Sequence, residues 1–119
     1  MARLRSDSKY HNVIAYVDGQ RFDSHKEARR FMELKLMEKA GEITNLQRQV
    51  KYELIPKQTS DKAKRVIMPV NYYADFVYDI PHGDIMERVV EDVKGVKTPE
   101  FIIKAKLMLW RYGIWIKCV

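Results

Sequence analysis

Residues 66–95, "VIMPVNYYADFVYDIPHGDIMERVVEDVKG", decide the fold. From 66 to 80 the chain is rich in β-branched and aromatic residues, the signature of a long strand, interrupted or bulged near Pro69 because proline cannot donate to a ladder. "PHGD" (81–84) is a tight turn, and "MERVVEDVKG" (86–95) returns antiparallel. Two features are out of place for a core hairpin. Asp75 interrupts the aromatic run "YYADFVY", and the returning strand passes from Val89 and Val90 into Glu91, Asp92 and Lys94 before stopping on Gly95.

Working outward, "NLQRQVKYELI" (45–55) places Leu46, Val50, Tyr52 and Leu54 in largely alternating register and reads as a further strand. The polar, basic segment "PKQTSDKAKR" (56–65) between the two strands is a loop or flap. Upstream, "VIAYVDGQRF" (13–22) is a hairpin around the turn dipeptide Asp18-Gly19. Helical signals fill 23–42, where Ser24 and Glu27 fit a capping box and Gly41 is placed to stop the helix. Phe31 and Leu34 share a stripe with Glu27. A second helix covers 98–113, with Thr98 as cap, Pro99 in the first turn and Gly113 at the end, and a last strand covers 114–119. The order implies an α/β (α+β) fold: one domain over 13–119, a mixed central sheet flanked by two helices, and an N-terminal β-hairpin. Residues 1–12, polar and basic, read as a flexible arm.

The 119 residues suit a single domain, and 46% hydrophobic with 32% charged residues is a globular composition. Twenty-two Lys and Arg against 16 Asp and Glu give a formal charge of +6, which favours an anionic partner, nucleic acid first. The single cysteine, Cys118, excludes an internal disulfide and a cysteine zinc site. With no apolar run of membrane-spanning length and no apolar core in "MARLRSDSKYHN", the expected location is the cytoplasm. The absence of a glycine-rich nucleotide loop argues against an ATPase or helicase.

An aspartate inside an apolar strand is costly unless it is paired or binds metal. Alternation puts Asp92 and Lys94 on one face of their strand, with Glu91 and Val93 on the other. The turn at 81–84 brings Asp75 near Asp92 when the register matches. Two carboxylates and a backbone carbonyl form a hard-oxygen site of the kind Mg²⁺ prefers, with water and a substrate phosphate completing the coordination. A lysine beside it orients an attacking water or balances phosphate charge, so the set suits phosphodiester hydrolysis. Plainer readings stand beside this one. Asp92 and Lys94 also suit a solvated strand face carrying a weak ion pair, Asp75 suits an acid facing water or a neighbouring amide, and the capping box explains Glu27 without chemistry.

The order of these elements resembles the PD-(D/E)XK nucleases: Glu27 early in the first helix, "YADF" with Asp75, then "EDVKG" with Asp92-Val93-Lys94, and a second helix. Over roughly residues 9–119 the chain also resembles a small, mostly phage-borne family of uncharacterised proteins assigned to that superfamily, through "KYHN", "FDSHKEARRF", "LKLMEKAGEI", "YADF" and "VVEDVKG". The resemblance implies a restriction-endonuclease-like core with Mg²⁺, or Mn²⁺ in its place, held by Asp75, Asp92 and the carbonyl of Val93. Glu27 then binds metal directly or through water, Lys94 positions the nucleophilic water, and Gln49 faces the site. Ala74 departs from the pattern, since many members have proline there; this bears on strand shape rather than chemistry.

Lys57, Lys62, Lys64 and Arg65 in the 56–65 segment, with Lys97 and Lys104 at the second helix, are the candidate DNA contacts; a solvated surface explains the loop cations equally well. Trp110, Tyr112 and Trp115 suit core packing better than base stacking, and His11, His25 and His82 show no metal-ligand spacing. The expectation is a Mg²⁺-dependent endodeoxyribonuclease, selective for DNA structure such as a Holliday junction and working as a homodimer, because one site cuts one strand. Two alternatives remain: a nuclease subunit dependent on a phage replication or recombination partner, and a non-catalytic basic nucleic-acid-binding protein.

Overall fold

The computed structural model describes residues 3–6 and 13–119. It is an α+β fold of two helices, a four-stranded mixed sheet and an N-terminal antiparallel sheet. The chain divides into two compact units, one formed by the described residues up to Leu46 with Tyr78–Glu87, the other by Gln47–Val77 with Arg88–Val119.

In the first unit, β1 (Arg3–Ser6), β2 (Val13–Val17) and β3 (Gln20–Phe22) form an antiparallel sheet in that order. Asp18 and Gly19 both have positive φ, 51° and 75°. This is the two-residue turn whose twist matches that of the flanking strands. The arm expected over 1–12 is corrected in part: Arg3–Ser6 pair with Val13–Tyr16 as a third strand, and the rest of that segment lies outside the described residues. Helix α1 (His25–Lys39) begins at Ser24, whose hydroxyl accepts from the Glu27 N–H at 3.1 Å. It packs on β2 and buries Ala28, Phe31 and Leu34; the Phe31 ring lies 5.0 Å from that of Phe22.

The main sheet has the order β4 (Thr44–Ile55), β7 (Val70–His82), β8 (Ile85–Asp92), β9 (Lys117–Cys118). Neighbouring strands β7 and β8 are joined across Gly83-Asp84, which makes them an antiparallel hairpin. β9 runs parallel to β8, with Glu91 opposite Lys117 and Asp92 opposite Cys118. The expected 66–80 strand breaks at Pro69, and its first part, β6 (Arg65–Ile67), pairs with β5 (Gln58–Ser60). The 56–65 segment is therefore half of a two-stranded ribbon rather than a plain loop. Only Lys117–Cys118 of the expected 114–119 strand are in the ladder.

Helix α2 (Pro99–Tyr112) covers the second unit's core, where Phe101, Ala105 and Met108 pack with Leu54, Tyr72, Ala74, Val77, Val90 and Ile116. Thr98 caps it by accepting from the Phe101 N–H at 3.1 Å, and Gly113, at φ +68°, closes it by donating to Leu109. Thr98→Ala removes that cap and is expected to lower unfolding stability by about 1 kcal/mol. Urea unfolding followed by circular dichroism checks it; an unchanged midpoint would mean the cap contributes nothing. Among the described residues, no helix is long and apolar enough to cross a membrane.

Candidate active site

The site in the second unit starts from strand parity. Val90 and Asp92 point to the same face of β8, the face covered by α2. The core face of the strand therefore ends in a carboxylate. Asp92 is only 4% exposed, which removes the solvated-face reading. Its Oδ2 accepts from the Tyr72 hydroxyl at 2.7 Å, and its Oδ1 lies 3.6 Å from the Lys94 Nζ. Burial, and after it the hydrogen bond to Asp92, raises the Tyr72 pKa, so the phenol stays protonated and donates.

β8 ends at Asp92, three residues earlier than expected, so alternation through Lys94 is not what aligns this lysine. The chain instead leaves the ladder with Val93, whose N–H donates to Asp75 Oδ2 at 2.8 Å. The Lys94 N–H donates to the Val119 carbonyl, and the Val119 N–H donates to the Asp92 carbonyl. The Lys94 ammonium lies 4.8 Å from the Phe101 ring centroid as well as beside Asp92. A cation so placed is held by both the carboxylate and the aromatic face.

Asp75, half-buried on β7, accepts at Oδ1 from the Gln49 amide at 3.3 Å. Gln49 has φ +50° inside β4. That is a left-handed backbone, uncommon for a residue with a side chain. Burial raises the Asp75 pKa, the Val93 N–H and the Gln49 amide oppose that rise, and the neighbouring Asp92 adds to it. Two like charges thus converge in a partly desolvated place beside one ammonium.

This yields a pH prediction for the metal-free protein. Between the ordinary Asp value of 3.8 and the raised one, the folded state keeps a proton that the unfolded chain has released. The associated stability is present in full below 3.8 and is lost as pH rises through the raised pKa. Asp75→Asn should therefore flatten the fall in urea midpoint as pH rises above 3.8 in EDTA. Equal slopes in both proteins would show that Asp75 titrates normally.

The structure gathers Gln49, Asp75, Asp92, Val93 and Lys94 in one unit. Glu27, half-buried in the first turn of α1, belongs to the other and is described there as part of its helix cap. Glu91 is fully buried and engaged in its own interactions. Lys57, Lys62, Lys64 and Arg65 are all exposed on or beside the β5–β6 ribbon. Lys104, the candidate DNA contact on α2, is paired with Glu100 at 3.1 Å. Tyr72 and Phe101 are the site neighbours that sequence reasoning misses. No local pattern marks them: Tyr72 reaches Asp92 from the neighbouring strand, and Phe101 reaches the Lys94 ammonium from α2.

No cluster of three or more His, Cys, Asp or Glu side chains able to hold a metal exists among the described residues. The donor set nevertheless fits a hard dication: two converging carboxylates with the Val93 backbone carbonyl next to Asp92 in the chain, in a place where like charge accumulates. The site thus has the makings of a two-carboxylate, one-lysine centre on an α+β core. The chain belongs to the family described as protein of unknown function DUF1064, which matches residues 7–117. No curated protein and no solved structure matches it.

Proposed function

We propose that this protein is a divalent-metal-dependent endodeoxyribonuclease of the PD-(D/E)XK kind, selective for DNA structure. The observation that carries the reading is the convergence of Asp75 and Asp92 around the end of β8 with Lys94 beside Asp92. Asp75, Asp92 and the Val93 carbonyl hold Mg²⁺ or Mn²⁺. When bound, that ion neutralises phosphate charge and makes a coordinated water more acidic.

The chain's own residues do the rest. Tyr72 fixes the orientation of the Asp92 carboxylate, and Gln49 with the Val93 N–H fixes that of Asp75. The Lys94 ammonium orients the attacking water and supplies positive charge to the phosphate as a P–O bond forms and another breaks. The products are a 5′-phosphate and a 3′-hydroxyl. The exposed cations Lys57, Lys62, Lys64 and Arg65 contact the DNA backbone. Paired cuts on a branched substrate such as a Holliday junction take two copies of the chain, or a phage replication or recombination partner.

The test is cleavage of labelled duplex, single-stranded and four-way-junction DNA in Mg²⁺, Mn²⁺ or EDTA, with Asp92→Asn alongside. Metal-dependent cutting that the substitution abolishes supports the reading. Binding without cutting of any substrate, equal with and without metal, overturns it in favour of a non-catalytic binding protein.

A further inference from the structure

The second unit contains a cleft of about 460 Å³ between α2 and the C-terminal segment. Its apolar wall is built from Phe101 and Ile102 on α2 and from Trp115, which precedes β9 and is 66% exposed. Lys97, Lys106 and Lys117 stand around it, and no acidic side chain among the described residues lines it. These lysines differ from their neighbours. Lys94 is paired with Asp92 and Lys104 with Glu100, whereas Lys97, Lys106 and Lys117 have no ion pair among the described residues. The unpaired cations of this region therefore converge on one aromatic cleft.

An aromatic wall with unpaired cations and no acid suits a ligand that is flat and apolar at one end and anionic at the other. We propose that this cleft takes one unpaired nucleotide of single-stranded DNA, its base stacked on Trp115 and its flanking phosphates held by Lys97, Lys106 and Lys117. An acidic peptide fits less well. β9 is an outer strand, but its two residues are too short to template an added strand.

The position of the cleft matters. Phe101 belongs both to its wall and to the setting of the Lys94 ammonium, and Cys118 is the ladder partner of Asp92. A strand held in the cleft lies next to the carboxylates. That adjacency makes an unpaired nucleotide beside the scissile phosphate the structural feature selected, and this part alone rests on the hydrolytic reading.

Binding is measured with the full chain in EDTA, by anisotropy of a labelled oligo-dT, an abasic strand of equal length and a duplex. Trp115→Ala is expected to weaken oligo-dT binding about 5- to 150-fold, and Trp115→Phe to retain most of it. Removing each lysine should reduce the salt dependence of log K by about 0.7. In a Trp110→Phe background the remaining tryptophan is Trp115, and oligo-dT should quench its fluorescence. The proposal is overturned if the abasic strand binds as tightly as oligo-dT or if Trp115→Ala binds within twofold of wild type. Tighter binding of an acidic peptide than of oligo-dT overturns it too. Because EDTA removes cleavage from the readout, failure here leaves the hydrolytic reading standing, and failure to cleave leaves this result untouched.

Discussion

Asp92→Asn should lower single-turnover DNA cleavage in Mg²⁺ about 10³-fold or more while leaving the melting temperature within a few degrees of wild type. On the proposed hydrolytic reading, the activity loss follows from removing one of the two carboxylates that would hold the metal, whose stabilisation of transition-state charge is several kcal/mol; about 4 kcal/mol corresponds to 10³ in rate. The small stability change follows from the contacts. Asparagine keeps the volume of the buried side chain and an oxygen to accept from Tyr72, which donates at 2.7 Å in the wild type. Lys94 loses its ion pair, but Asp75 loses the like charge that helps raise its pKa, and the two effects oppose each other. Asp75→Asn should abolish cleavage equally but cost more stability. Both of its oxygens accept from donors, Gln49 and Val93, and an amide turns a donor toward one of them. A variant of Asp92 that still cuts within tenfold of wild type would remove this residue from the metal site.

Features written in consecutive residues were legible in the sequence. Asp18-Gly19 demands a turn with positive φ at both positions, and the structure has it. Ser24 and Thr98 cap the helices they were expected to cap, because a side-chain oxygen three residues before an N–H is a local geometry. Asp75 and Asp92 stood out because acids in apolar strands violate the burial pattern around them.

What depended on pairing was not legible. Tyr72 meets Asp92 only because β7 lies beside β8, and one residue of slip would turn it to the other face. β8 stops at Asp92 rather than Gly95 because the Val93 N–H goes to Asp75, a long-range competitor invisible in a seven-residue window. Arg3–Ser6 and β5 are short strands rich in polar residues, whose composition reads as arm and loop while their partners' backbones make them sheet. Trp115 suited core packing on composition, but it falls in the irregular segment between Gly113 and β9 and is exposed.

Lys94→Met should split two quantities that a purely structural lysine would move together. Methionine retains the unbranched stem and its packing against Phe101 but carries no charge, so the fold should persist. The site becomes more negative, since the cation 3.6 Å from Asp92 is gone. Like charge at Asp75 and Asp92 is then relieved only by the bound dication, and half-maximal cleavage should be reached at lower Mg²⁺ than in wild type. The rate at saturating Mg²⁺ should nonetheless fall about 10²- to 10⁴-fold, the range for a positioned group acting on a proton or a developing charge in the transition state. Lys94→Arg keeps the charge but places it on a planar fork, so it should recover the wild-type Mg²⁺ requirement with only part of the rate. A Mg²⁺ titration of cleavage under single-turnover conditions reads both quantities in one experiment. Unchanged saturating rate in Lys94→Met would make this lysine a charge-balancing neighbour of Asp92, and the attacking water would need another residue to orient it.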